Sequence, residues 1–457
     1  MARALAATLV VATLSLAACR SREAPPSPSA SPQPSAAPEP SARPVASAPP
    51  VASATPALDA GAAAAPPWNV ILLTIDSLRA DMPWSGYERP IAPRLTELEK
   101  RAVSYTRAYA VSSYTSMSLG GMLAGRYPGE LDRDGYFFGT YPKRVLFFPE
   151  VLQEAHVRTL GVQGHGYFKR GGAGFDQGFD DWRIVPNLRW NANTDENVTG
   201  PQMESIAEEL LGDPARTAGK FFFWAHFLDP HDMYRPHADV PAWGRKARDL
   251  YDGEVTFADR YVGKLLDFIA AQPWAARTAI VVSADHGEVF GEHGIYRHGF
   301  ELWQPLVHIP WMFVLPGVAA RHVDTPRSHI DMARTLLDLL GVPAPDAIGG
   351  TSLVPELLGR APAEPRDVLL DLPRTSDNDR RRALVHGDEK VIALGDDAYF
   401  QSFDVAADPG EEHPLDKTDR ARHDALVARY RAAKGALHDV GPFACRKLKG
   451  APEGRGY

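Results

Sequence analysis

The chain has 457 residues, 44% hydrophobic and 23% charged, with a formal charge of −8 and only 2 cysteines. That length can bury a sizeable core in one large domain or two ordinary ones. The acidic balance excludes the basic footprint of a nucleic-acid-binding protein, and two cysteines exclude a scaffold built on disulfides. The averages conceal an uneven chain. Every Phe, Trp and Tyr lies from Trp68 onward, and residues 20–67 hold 13 of the 40 prolines in 48 residues.

At the N-terminus, Arg3 precedes an apolar stretch, 4–18, that is too short to span a bilayer as an ordinary helix and reads as a signal peptide over 1–18. It ends Leu16-Ala17-Ala18-Cys19, which resembles a bacterial lipobox. The resemblance implies cleavage before Cys19, acylation there, and a protein exported to and lipid-anchored in the cell envelope. Residues 19–67 are rich in Ala, Pro and Ser; with so little apolar area to bury, they are expected to stay disordered as a tether. Cys445 then has no intramolecular partner and reads as an inert thiol.

From Trp68 onward, apolar runs alternate with amphipathic stretches. Residues 69–75, 159–162, 221–227, 278–284 and 311–315 predict buried strands; 94–103, 148–155, 204–211, 253–269 and 330–340 predict helices. In 253–269, Val255, Ala258, Val262, Leu266 and Ile269 recur at helical spacing. The alternation predicts an α/β fold with a mostly parallel central sheet and helices on both faces, over 68–350. Beyond it, strand-like pieces at 368–370, 390–394 and 399–403 and a polar helix over 416–437 predict a smaller C-terminal α+β subdomain over 351–440, with 441–457 a tail. Strands ending in Asp76, in Asp229 and His231, and in Asp285 and His286 would converge on one crevice, because ligands of open α/β sheets bind at the carboxyl ends of strands. No phosphate-cradling glycine motif follows the first strand.

Four segments carry candidate chemistry. The run Asn69-Val70-Ile71-Leu72-Leu73-Thr74-Ile75-Asp76-Ser77-Leu78-Arg79-Ala80-Asp81 delivers a carboxylate at a strand end, as a hard-cation site requires. Ser112-Ser113-Tyr114-Thr115-Ser116-Met117-Ser118 puts hydroxyls at a helix start, where free N–H groups favour an alkoxide and an incoming oxyanion; spacing alone does not choose among them. The third is Asp229-Pro230-His231-Asp232-Met233-Tyr234, with His226 just before it. The fourth is Asp285-His286-Gly287-Glu288 through Glu292-His293-Gly294 to His298-Gly299. Seven of the 15 histidines fall between His226 and His308, a clustering that suits a mixed nitrogen and oxygen metal site or acid–base work.

These four segments, in this order, resemble the sulfatase-like branch of the alkaline phosphatase superfamily. Gly125-Arg126-Tyr127-Pro128, Asp331-Met332-Ala333-Arg334-Thr335-Leu336-Leu337, Lys390, and Phe403-Asp404 with Asp408-Pro409-Gly410-Glu411 extend the match to nearly all of 68–415. The resemblance implies one divalent metal (calcium, manganese, magnesium or zinc) held by Asp76, Thr115, Asp285 and His286, with Thr115 as nucleophile. It further implies His231 at the leaving oxygen, and His165 and His298 on the non-bridging oxygens. Thr115 stands where sulfatases carry the Cys or Ser converted to formylglycine, so that modification is not expected here. The family's paired Asp reads Asp76-Ser77, its D-N-G reads Asp285-His286-Gly287, and its K-x-H reads Gln163-Gly164-His165. The implied function is hydrolysis of sulfate or phosphate esters, small-molecule or on a glycan or lipid. The alternatives are transfer of phosphoethanolamine or phosphoglycerol to an envelope acceptor, or an inactive surface binding protein. No nucleic-acid partner is expected.

Overall fold

The structure, a computed structural model, describes residues 68–134, 137–189, 197–375 and 379–440. The expected signal over 1–18, the lipid-bearing Cys19, the tether to residue 67, and the tail with Cys445 lie outside the described residues. Among the described residues, no helix is long and apolar enough to cross a membrane.

The strands are, in chain order, β1 (Asn69–Ile75), β2 (Val103–Tyr109), β3 (Arg158–Gln163), β4 (Asp181–Ile184), β5 (Phe221–Phe227), β6 (Thr278–Ala284), β7 (Val289–Phe290), β8 (Tyr296–Arg297), β9 (His308–Val314), β10 (Arg321–Val323), β11 (Arg327–Ser328), β12 (Val368–Leu372), β13 (Arg381–His386), β14 (Glu389–Leu394) and β15 (Tyr399–Asp404). The large sheet has the order β10-β2-β9-β6-β1-β5-β3-β4, with β11 paired to β2. β1 and β5 are buried at all seven positions. Successive strand side chains point to opposite faces, so both faces of this central pair are covered, and a continuous rather than alternating apolar run follows. The helix Ala247–Ala270 packs with Gly200–Gly212 and Pro93–Glu99, whereas Thr115–Ala124, Phe148–Glu154 and Met332–Leu339 pack with one another. The fold is thus α/β, with a mostly parallel sheet.

The departures from expectation have local causes. The helix predicted over 94–103 stops at Glu99, and Val103 opens β2 instead. β2 reads Val-Ser-Tyr-Thr-Arg-Ala-Tyr, too polar to announce a buried strand; its Thr106 and Arg107 point out of the core. β9 runs antiparallel to both neighbours, β2 and β6; a buried apolar run carries no mark of its direction. The single helix predicted over 416–437 is two, Leu415–Thr418 and Arg420–Lys434, because the Asp419 side chain accepts a hydrogen bond from the Arg422 N–H and starts a second helix.

β12 to β15 form a separate four-stranded antiparallel sheet. Its period-2 pattern feeds two cores. Val368, Leu370, Leu372, Ala383 and Ile392 meet Tyr109, Met117, Trp303 and Leu306, while Leu369, Leu384, Val391 and Ala393 meet Leu426, Val427 and Tyr430 of the last helix. One buried ion pair adds a polar lock: Lys390 Nζ lies 2.8 Å from Glu411 Oε1 and donates to the Leu302 carbonyl at 2.6 Å. Glu411 Oε2 accepts from the Gln304 N–H at 2.6 Å. Burial pushes the Lys390 amine down, and the Glu411 carboxylate opposes that shift. Lys390 is therefore a brace between the C-terminal sheet and the segment leading into β9. Lys390→Met strands the Glu411 carboxylate and is expected to destabilise the fold by about 3–5 kcal/mol in chemical denaturation, whereas the double change Lys390→Met with Glu411→Leu costs much less.

Candidate active site

Strand register builds the site. Ile75 of β1 stands opposite Ala284 of β6, so the next residues, Asp76 and Asp285, leave the sheet side by side. On the other flank, Thr74 stands opposite His226 of β5, which in turn stands opposite Gln163 of β3. Asp76, His226 and Asp285 are all buried, and one ligand atom of each lies within 4.8 Å of the others. His226 Nε2 is 3.4 Å from Asp76 Oδ2. Among the described residues, neither His226 Nε2 nor Asp285 Oδ2 has a hydrogen-bond partner. Buried polar atoms are normally satisfied, so two orphans facing one cluster of carboxylates fit a bound cation.

The backbone after β1 is bent to serve this cluster. Ser77 takes a left-handed conformation (φ 58°), which turns its N–H to Asp285 Oδ1 at 3.1 Å and its hydroxyl to Asp76 Oδ1 at 2.9 Å. Tyr251, buried on the long helix, donates its hydroxyl to the Ser77 carbonyl and accepts from the Arg79 N–H. Arg79 then pairs with Asp81 and Glu292, each at 2.8 Å, and donates to the Glu288 carbonyl, tying the loop after β1 to the loop after β6. Burial works against Asp76 ionising, but nearby imidazole charge, that of His231 first, outweighs it and holds the carboxyl well below the usual range. Burial, reinforced by the Asp76 charge, pushes Asp285 up.

Thr115 is the first residue of the helix Thr115–Ala124, with Tyr114 as its cap. Its Oγ1 is 3.0 Å from His286 Nε2. The His286 Nδ1–H donates to the Gly287 carbonyl at 2.9 Å, so Nε2 presents its lone pair to the Thr115 hydroxyl. Burial lowers the pKa of His286, which favours that neutral form. Ser118 anchors the same helix turn by donating to the Asp285 carbonyl at 2.6 Å. Gly287 is required where it stands, since a Cβ there would collide with the Pro305 carbonyl oxygen.

His298 joins this group: its ring centroid lies 4.2 Å from that of His286 and 5.1 Å from that of His231. Its Nδ1 is 3.3 Å from Glu288 Oε2, which also accepts from Tyr234 at 2.8 Å. Burial opposes ionisation of Glu288, but His298 and Tyr234 together hold its pKa down. His231 Nδ1–H donates to the Asp232 carbonyl at 2.6 Å, leaving Nε2 as the working nitrogen. His165 stands further out. Its Nδ1 accepts from the Tyr167 N–H, and its ring lies parallel to Phe138, whose other neighbours include Tyr114. Tyr114, Phe137 and Phe300 continue this aromatic wall beside Thr115.

The residues expected at the site thus divide. Asp76 and Asp285 meet in one cluster, Thr115 meets His286, and His298 meets both His286 and His231, while His165 connects through the aromatic wall. Asp229 does not join them. Its carboxylate accepts from the Thr199 N–H, from the Thr199 hydroxyl at 2.7 Å and from the Gly200 N–H at 2.9 Å, so it serves the start of the helix Gly200–Gly212. His226 in the cluster, and Glu288 with Tyr234 behind His298, are contributions that the sequence reading did not assign. The continuous apolar run of β5 hid His226, although a histidine inside such a run is itself a signal.

Comparisons with known proteins identify the family. The sulfatase family model matches residues 68–342, and the chain belongs to that family. It is 29% identical over 203 residues to the choline-sulfatase of Rhizobium meliloti, an alignment covering 44% of this chain and 39% of that protein. It is 23% identical to the ulvan-active sulfatase of Formosa agariphila, covering 66% of this chain and 67% of the relative. In fold it is similar to the phosphonate monoester hydrolase of Silicibacter pomeroyi, with a TM-score of 0.66 and 18% identity, covering 82% of this chain and 96% of that one. The family match and the shared fold agree, and the chain spans less than half the length of the choline-sulfatase it resembles.

One pH effect follows from Asp229. Burial, and then the charge of Glu254, push its pKa from 3.8 to about 6. A carboxyl whose folded pKa is raised contributes stability that is complete below pH 3.8 and is lost as pH rises through about 6. Asp229→Asn should flatten the fall in stability across that window, by on the order of 2–3 kcal/mol, in denaturant titrations at stepped pH.

Proposed function

We propose that the protein hydrolyses sulfate or phosphate esters, with Thr115 as nucleophile and a covalent ester of Thr115 as intermediate. One observation carries this reading: Thr115 Oγ1 stands at a helix start, 3.0 Å from an oriented His286 Nε2 and beside the buried Asp76–His226–Asp285 cluster. Asp76, Asp285 and His286, with the Thr115 oxygen, are the groups proposed to hold one divalent metal. When bound, that cation neutralises charge on the transferring group and favours the alkoxide of Thr115.

The chain's own residues do the rest. The helix start directs N–H groups and a positive dipole end at Thr115 and at an anion entering there. Thr115 Oγ, its hydroxyl proton released to solvent, forms the bond to sulfur or phosphorus while the bond to the leaving oxygen breaks. His231 supplies a proton to that oxygen, and His298, backed by Glu288, holds a non-bridging oxygen together with His165. Water then attacks the Thr115 ester and restores the hydroxyl. Gln163 in the family's lysine position makes the centre less cationic, and the wall of Tyr114, Phe137, Phe138 and Phe300 favours a leaving group with a flat or apolar face. Small-molecule and glycan esters both belong to this class, as the names of the relatives illustrate. We also read the chain as exported and lipid-anchored at Cys19, on the strength of Leu16-Ala17-Ala18-Cys19.

The test is a panel of aryl sulfates, phosphate monoesters, phosphate diesters and phosphonate monoesters, assayed with added divalent metals. Thr115→Ala is expected to lower kcat/KM by about 10³-fold or more on the best substrate, with Thr115→Ser partly active. Full activity in Thr115→Ala removes the reading. His231→Ala should slow esters of poor leaving groups, such as alkyl alcohols, far more than esters of 4-nitrophenol, since only the former need a proton as the bond breaks. An equal loss on both classes would assign His231 to binding instead.

A further inference from the structure

We propose that His226 is itself a metal ligand, and that a site with two imidazoles selects a borderline dication such as zinc over calcium or magnesium. The proposal rests on the reading that the Asp76–Asp285 cluster holds a metal, and it extends that reading to which ion. His226 is fully buried, and its Nε2 faces Asp76 Oδ2 at 3.4 Å without a hydrogen-bond partner. Asp285 Oδ2 is likewise buried and without a partner, and ligand atoms of the three residues fall within 4.8 Å of one another. An unsatisfied imidazole nitrogen among carboxylate oxygens is costly if left alone, and coordination satisfies it.

The surroundings orient that ring as ligating histidines are usually oriented, through the far nitrogen. His226 Nδ1 lies 2.8 Å from Thr74 Oγ1, and Trp224 Nε1–H donates to the same oxygen at 2.9 Å. The proposal assigns the Thr74 hydrogen to the Ala225 carbonyl at 3.5 Å, the tautomer in which its hydroxyl accepts from both rings. In that tautomer the proton sits on Nδ1 and the Nε2 lone pair is directed into the cluster. Thr74, Trp224 and His226 all lie on the central strands β1 and β5, so the arrangement is built on two strands buried along their whole length.

The donor set then decides the ion. Calcium takes six to eight oxygens, and magnesium keeps several waters in an octahedral shell. Imidazole suits zinc and its neighbours. Here Ser77 stands beside Asp76 where a second carboxylate would have supplied hard oxygens, and its hydroxyl is turned onto Asp76 Oδ1. To the Asp76–His226–Asp285 group the proposal adds His286, whose Nε2 is 3.3 Å from Asp285 Oδ2, and the Thr115 oxygen, a mixed donor set whose two carboxylate charges a single dication balances.

The test uses the full chain, stripped with a chelator and titrated separately with zinc, cobalt(II), manganese, magnesium and calcium in a competition assay. Zinc should bind one per chain, about 100-fold or more tighter than calcium. X-ray absorption at the zinc edge of the unmutated protein should count two imidazoles. His226→Gln, which keeps a polar side chain at this position but no imidazole, should weaken zinc by about 10–100-fold and shift the visible spectrum of the cobalt form. One imidazole at the zinc edge, calcium bound as tightly as zinc, no metal bound, or an unchanged cobalt spectrum in His226→Gln each overturns the proposal. The ester panel is scored separately. Two imidazoles with no turnover of any ester would defeat the hydrolase reading alone, and turnover with a single-imidazole site would defeat this one alone.

Discussion

Asp76 and Asp285 are brought together by the pairing of β1 with β6, both out of reach of water, and their mutual repulsion is the constraint that the rest of the centre answers. Two like charges so placed do not both ionise freely without compensation. The structure supplies it from several directions. Ser77 N–H and His286 N–H both point at Asp285 Oδ1, the Ser77 hydroxyl holds Asp76 Oδ1, and His226 and His286 stand beside the pair. The left-handed Ser77, the grip of Tyr251 on its carbonyl, and the positions of both imidazoles make sense as parts of one device for holding buried negative charge at a strand end.

The same device explains why the loop after β6 is so elaborate. Between Asp285 and the start of β9 the chain must return His286, Glu288 and His298 to one place, and almost no regular structure holds it there. Side chains do so instead. Arg79 crosses from the β1 loop to the Glu288 carbonyl and Glu292, and Tyr234 fixes Glu288. At the far end, Lys390 and Glu411 clamp Leu302 and Gln304 from the C-terminal sheet. The C-terminal subdomain contributes no group to the Asp76–His226–Asp285 cluster, yet it defines where the histidine loop ends.

Much of this was legible beforehand where the information is local. The apolar run 69–75 and the run 278–284 stand in the structure with the same bounds, and Asp76, Asp285 and His286 follow them as the motif order implied. Legibility failed where the deciding interaction is remote. β2 is a strand because β9 and the short strands β10 and β11 pair with it, not because its own residues alternate. Asp229 sits in a histidine-rich motif but spends its carboxylate on a helix thirty positions earlier in the chain. His226 looked like part of a core strand, and it is one; what the strand could not reveal is that β1 places Asp76 against it.

From sequence alone came the α/β class, the family resemblance, the Thr115 position with no cysteine to convert, and the acidic and histidine residues worth watching. These follow from local patterns of polarity and from motif order, which one dimension can carry. The tertiary structure decided which of those residues share a site. Register sets Asp76 beside both Asp285 and His226, a tyrosine remote in sequence holds the loop after β1 and an arginine of that loop ties it to the one after β6, and only burial shows that two polar atoms in that cluster lack partners among the described residues. Adjacency across a sheet is fixed by hydrogen bonding between strands more than 200 positions apart, and no spacing within one segment encodes it.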